Sequence, residues 1–169
     1  ALNRWLPLSI AVLDCEEADI DFHARYSCTS KEYIYKIWNT EVRNPFLDGY
    51  ALHYRYKLDE DMLNSAAQAY VGTHDFTSFC TLDSREKGDM TRTVKAFSVT
   101  REGNLVTMKV EADGFLYNMV RIMVGTLLRI QQGKIPVDGI AGIIEKKDRK
   151  FAGPTAQPCG LYLNRVNYD

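Results

Sequence analysis

The chain has 169 residues, 46% of them hydrophobic and 25% charged, and a formal net charge of −1. That length supports a domain with a real core, and near-neutrality argues against a wholly basic nucleic-acid binder while leaving room for a local cationic stripe. Arg121 interrupts the best apolar run before it reaches the roughly 18–20 residues of a membrane span, and the first residues lack the basic start and apolar block of a signal peptide.

Residues 8–18, LSIAVLDCEEA, predict a strand that fades into an acidic turn. EYIYKIWN (32–39) alternates and predicts a strand with Tyr33, Tyr35 and Ile37 on one face and Ile34, Lys36 and Trp38 on the other. RNPFLDG (43–49) reads as a loop from its Asn-Pro and Asp-Gly pairs. YALHYRYKL (50–58) alternates again, with Tyr50, Leu52, Tyr54 and Tyr56 together. Asp59 is placed to cap a helix running to about Tyr70, which Gly72 ends. THDFTSF (73–79) reads as a polar loop anchored by two phenylalanines. TVKAFSVT (93–100) and LVTMKVEA (105–112) form a hairpin through Arg101-Glu102-Gly103-Asn104.

GFLYNMVRIMVGTLLRI (114–130) predicts a helix with Asp113 as its N-cap. Phe115, Met119, Ile122, Met123, Thr126, Leu127 and Ile130 make an apolar stripe, yet the opposite face holds Tyr117, Val124, Gly125 and Leu128 beside Arg121. A helix apolar almost all round is covered on both sides, and an arginine there needs a partner. A further helix over 137–147, a Gly/Pro loop at FAGPTAQPCG (151–160) and a strand at LYLNRVNY (161–168) complete the chain. Four or five mostly antiparallel strands with three helices make an α+β sandwich, with helices on one sheet face.

Chemical motifs are sparse. There is no G-x-G-x-x-G, P-loop, G-x-S-x-G or H-E-x-x-H. Cys15, Cys28, Cys80 and Cys159 form no C-x-x-C pair, which speaks against zinc and against a disulfide framework and for a reducing, cytoplasmic compartment. His23, His53 and His74 stand apart, and His74-Asp75 has no nucleophile beside it. EKKDRK (145–150) is either a solvated helix end or a phosphate contact. The tyrosine strand is either a packed sheet face or a base-stacking platform.

Four stretches in order carry a family resemblance: DFHARYSCTSKEYIYKI, AAQAYVGTHDFTSF, FLYNMVRIMVGTL and KKDRKFAGPTAQPCGLYL. Together they resemble the C-terminal portion of the tRNA pseudouridine synthase A family, whose blocks are F-H-A-R-F-S-A, K/R-x-Y-x-Y, G-x-H-D-F-x-S-F, F-x-x-x-M-V-R-x-x-V-G and D-R-x-x-A-x-x-T-A-x-x-x-G-L-Y-L. The resemblance implies a pseudouridine synthase-like fold and an isomerase that converts uridine to pseudouridine in the anticodon stem-loop of tRNA, at family positions 38–40. It implies a cytoplasmic homodimer that uses neither metal nor organic cofactor. In that family an aspartate of R-T-D-x-G-V-H attacks the uridine, the glycosidic bond breaks, and the base re-attaches through C5 after being flipped out. Carried over, Tyr33 lies beside the flipped base, Arg121 pairs with the aspartate, and Leu161 packs in the pocket.

R-T-D-x-G-V-H does not occur in these residues; Thr91-Arg92-Thr93-Val94 has no aspartate. The expectation is therefore a C-terminal piece that is inactive alone, with 1–20 as the last strand of, and linker from, an N-terminal catalytic domain and 21–169 as the C-terminal domain. Arg25, Lys31, Arg43, Lys147 and Arg149 are the candidate RNA phosphate contacts. The alternative is a non-catalytic RNA-binding module that keeps the fold and stacks bases on Tyr33 and Tyr35. A purely structural dimerisation domain is a third reading, one that leaves Arg121 without a partner.

Overall fold

The computed structural model describes residues 1–81 and 88–168. The strands are β1 (Cys28–Asn39), β2 (Leu52–Tyr54), β3 (Gly72–Asp75), β4 (Thr91–Glu102), β5 (Leu105–Ala112) and β6 (Leu161–Tyr168). The α-helices are α1 (Glu60–Ala67), α2 (Met119–Gln131) and α3 (Gly139–Lys146). All six strands join one sheet, in the order β2-β1-β5-β4-β3, with β6 also on β1. Every pairing is antiparallel except β1 with β2. This is the α+β architecture the sequence predicts.

Period-two alternation builds the core side of the sheet. On β1, Tyr35 and Ile37 are fully buried, and on β5 Val106, Met108, Val110 and Ala112 face the same way. On β4 the register slips between Val94 and Ala96. That bulge restores the inward set, so Val94, Phe97 and Val99 are all buried although their numbers do not alternate. The predicted hairpin is present, but its turn is tighter than the four residues expected: Arg101 and Glu102 belong to β4, and Glu102 stands opposite Leu105 across Gly103-Asn104.

The helices lay their apolar stripes against this surface. Asp59 caps α1 by accepting a bond from the Met62 amide, and Leu63, Ala66 and Ala67 are buried. α3 buries Ile140, Ile143 and Ile144. α2 is covered on nearly every side: ten of its thirteen residues are buried, Val124, Gly125 and Leu128 among them. What covers its second side is the loop at residues 153–156. A Cβ added to Gly125 would stand 1.7 Å from the Pro154 carbonyl oxygen, and one added to Gly153 would stand 2.5 Å from the Gly125 oxygen. Glycine at both positions lets helix and loop touch backbone to backbone. Thr126 Oγ1 then accepts the Gly153 amide at 2.9 Å.

Several predicted elements change. Residues 8–18 are not a strand: all but the half-buried Val12 are exposed, Leu8 and Leu13 essentially fully. The segment is instead pinned by Asn3, whose side chain bonds both the amide and the carbonyl of Val12. YALHYRYKL contributes only three strand residues, and these run parallel to β1. The polar stretch at THDFTSF starts as strand β3, because the edge offered by Thr91–Val94 pairs with it despite its composition.

The helix predicted from residue 114 begins only at Met119. Asp113 is not its cap; the Asp113 carboxylate and amide both bond Thr93 and so extend the sheet. Asn118 holds the N-cap position in the left-handed region, at φ 63°.

Candidate functional site

Two cavities border the turn at residues 157–161, which leads into β6. The smaller, of about 400 Å³, is lined by Tyr33, Phe115, Tyr117, Arg121, Pro158 and Leu161 among others. It therefore gathers the three site residues singled out in the sequence: one from the middle of β1, one from the first turn of α2 and one from the start of β6. The larger cavity, of about 570 Å³, contains none of the three.

Tyr33 stands on the core face of β1 and is only partly buried there. Its ring meets the edge of Phe115 at 5.1 Å between centroids and 85° between planes. Phe115 belongs to the segment between β5 and α2, not to a helix stripe, so it serves the cavity wall. Tyr35, two residues on, is fully buried and donates its hydroxyl to the Gln157 carbonyl at 2.6 Å. Stacking of a base on Tyr35, part of the RNA-binding alternative, is thereby excluded. Burial raises the Tyr35 phenol far above its ordinary value, Cys159 adds to this, and the Arg121 charge pulls the other way.

Arg121 is half-buried and rigidly held. Its Nε donates to the Ala156 carbonyl at 2.7 Å and its Nη1 to Asn118 Oδ1 at 2.8 Å. The Arg121 carbonyl in turn accepts the Ala156 amide at 3.0 Å. Both partners of the guanidinium are neutral, and among the described residues no carboxylate pairs with it. The geometry thus places a fixed cation, which no carboxylate among the described residues neutralises, at the wall of an open cavity.

Asn118 was not singled out in the sequence. Its left-handed backbone, which asparagine tolerates better than most residues, ends the preceding loop, and its amide bonds Thr81 Oγ1 at 3.2 Å while its oxygen holds Arg121. An asparagine within an otherwise apolar run, just ahead of the arginine, is the signal that marks it.

The five candidate phosphate contacts are not brought together. Arg25 lies just before β1 and Arg43 just past its far end, so about twelve strand residues, roughly 35–40 Å, separate the regions they occupy. Arg25 is exposed, its guanidinium 5.8 Å from the Tyr26 ring. Lys31 is within β1 itself. Lys147 is paired with Asp75 at 2.9 Å. Arg149 is half-buried, reaching the Ala152 carbonyl at 3.4 Å and Thr155 Oγ1 at 3.3 Å, and burial lowers its pKa. Among the described residues, no three His, Cys, Asp or Glu side chains converge to hold a metal ion.

Comparison with known proteins places the chain beside one family. The family described as tRNA pseudouridine synthase matches residues 66–169. The tRNA pseudouridine synthase A of Geobacillus sp. (strain WCH70) is 46% identical over 169 residues, covering 100% of this chain and 68% of the relative. That of Acetivibrio thermocellus is 45% identical over 168 residues, 99% of this chain and 68% of the relative. That of Shewanella frigidimarina is 43% identical over 167 residues, 99% of this chain and 64% of the relative.

Proposed function

Because this chain belongs to the tRNA pseudouridine synthase family, we propose that the cavity of Tyr33, Arg121 and Leu161 receives the target uridine. As a member of an isomerase family, the chain spans about two thirds of the length of several relatives. Arg121 carries the argument: a guanidinium fixed by two neutral oxygens, with no carboxylate against it among the described residues.

The missing group is the aspartate of an R-T-D-x-G-V-H segment, supplied from outside these 169 residues. Seated against Arg121, that carboxylate stays ionised and keeps its direction of attack, since a neighbouring cation favours the charged form and a guanidinium fixes its geometry. Tyr33 packs beside the extruded base, and Leu161 closes the apolar wall. Residues 1–20 act as the link to the part bearing the aspartate, with the C-terminal domain from 21 onward. The substrate is the anticodon stem-loop of tRNA, the working unit a homodimer, and the compartment the cytoplasm, where the cysteines stay reduced. Arg25, Lys31 and Arg43 contribute phosphate contacts spread along β1 rather than a single patch.

Release of tritium from C5-labelled tRNA tests this reading. The 169-residue chain alone gives background release, and the protein in which the aspartate segment accompanies it gives turnover. Release by the chain alone, well above background, means that another residue does the chemistry.

A further inference from the structure

The larger cavity has an origin in the topology of β1. β5 occupies one edge of that strand along Lys31–Trp38. β6 and β2 must therefore share the other edge, β6 against Cys28–Tyr35 and β2 against Ile37–Asn39. Between them the edge is interrupted at Lys36. The turn of residues 157–161 crosses there so closely that a Cβ on Gly160 would stand 2.5 Å from the Lys36 carbonyl oxygen. The cavity of about 570 Å³ opens beside this interruption, lined by Trp38, Arg43, Asn44, Asp48, His53 and Gln157 among others.

The same turn is the wall of both cavities. Gln157 and Cys159 face the larger one, Pro158 and Leu161 the smaller. The outer wall, the loop after β1, is held in place beforehand. Asn44 Oδ1 accepts the Phe46 amide, Leu47 accepts the Ala51 amide, and the Tyr162 hydroxyl donates to the Tyr50 carbonyl at 2.6 Å.

From this arrangement we propose that the larger cavity is a second nucleotide subsite, taking a single-stranded RNA nucleotide close to the one whose uridine enters the Tyr33 cavity; it rests on the reading of that cavity given above. Its volume is within the range of small-ligand sites. Its chemistry is mixed in the way a nucleotide requires. Arg43 is exposed and in no ion pair among the described residues, so it is available to a phosphate. Asp48 disfavours a bare phosphate but accepts hydrogen bonds from base amino and imino groups or from a ribose 2′-hydroxyl. His53 Nε2 lies 2.8 Å from the Thr40 carbonyl; donating there leaves Nδ1 as an acceptor. The Trp38 indole N–H is buried and has no acceptor among the described residues. A donor in that state is destabilising until an acceptor reaches it, and Trp38 is one of the residues that line this cavity. Because one turn separates the cavities, a short splayed-out stretch of RNA reaches both.

Trp5 and Trp38 are the two tryptophans of the chain, and Trp5 is 84% exposed, so Trp5→Phe leaves Trp38 as the single emitter. Titrating that variant with a five-residue oligouridylate should give a saturable change in Trp38 emission. Arg43→Ala should weaken it at least tenfold, Arg43→Lys should recover part of the loss, and inorganic phosphate alone should give no change. Oligouridylate retained on a filter without any change at Trp38 overturns the second subsite and leaves the Tyr33 cavity untouched. A matching response to inorganic phosphate overturns it as well, by marking a simple anion site. Turnover of Tyr33→Ala, measured in the protein with the aspartate segment, reports on the smaller cavity alone and keeps the two readings apart.

Discussion

Replacing Arg121 by Met removes the charge while keeping much of the apolar stem that packs within α2. The folded state loses two hydrogen bonds from a charged donor, one of them to the carbonyl of Ala156, a residue only 8% exposed. An acceptor stranded in this way costs about 1–3 kcal/mol. Against that, a half-buried cation with no opposite charge among the described residues disappears, which offsets part of the loss. The backbone bond from the Ala156 amide to the Arg121 carbonyl remains. The net destabilisation is thus about 1–2 kcal/mol, visible by denaturant titration but small enough to leave the protein folded. Turnover should fall much further. An aspartate freed from its guanidinium is misplaced, and a misplacement of about 1 Å costs on the order of 100-fold, or about 2.7 kcal/mol of barrier at 1.36 kcal/mol per decade. Its carboxyl should also titrate higher, so the acid limb of the pH–rate profile moves to higher pH. Arg121→Lys, which restores charge but not the fork, should lie between. The assay is tritium release in the protein with the aspartate segment. Turnover of Arg121→Met within threefold of the parent, or a loss no larger than its unfolded fraction, refutes the reasoning.

Three further outcomes follow from the same structure. Tyr33→Ala should abolish turnover with little change in the unfolding midpoint, and Tyr33→Phe separates the ring from the hydroxyl. A Tyr33→Ala protein that unfolds but whose folded fraction is fully active makes the residue structural. Gly125→Ala drives a Cβ to 1.7 Å from the Pro154 oxygen and should destabilise by about 1–3 kcal/mol or more, read by urea titration. The Asp75 carboxyl is held below its ordinary 3.8, first by the Thr77 hydroxyl and then by Lys147. A carboxyl depressed in the folded state contributes stability above its unfolded value and loses it as pH falls through its folded one. Asp75→Asn should therefore flatten the loss of stability below about pH 4, by less than about 1 kcal/mol because the pair is partly exposed.

What the sequence revealed was what is local. Alternation in EYIYKIWN placed Tyr35 and Ile37 in the core, and the apolar circumference of α2 exposed Arg121 as a cation in need of a partner. Asp59 announced its helix through its cap. What stayed hidden depends on distant contacts. Nothing local in YALHYRYKL says that three of its residues run parallel beside β1, or that β2 and β6 divide one strand edge and leave a cavity between them. The late start of α2 follows from one left-handed residue, Asn118, overriding a helical periodicity that continues through Phe115. Asp113 has a cap's chemistry, but the Thr93 amide claims it for the sheet. The meeting of Gly125 with Gly153 joins segments nearly thirty residues apart, and only the fold shows that this contact sets the position of the Ala156 carbonyl that holds Arg121.

The most direct test of the uridine cavity is a photocrosslink. tRNA with 4-thiouridine at the modified position of the anticodon stem-loop is irradiated with the protein that includes the aspartate segment, and the adduct is mapped by mass spectrometry. The account predicts adducts on Tyr33 or within residues 115–121. Efficient crosslinking confined to other parts of the chain, with the tRNA bound and turned over, contradicts it.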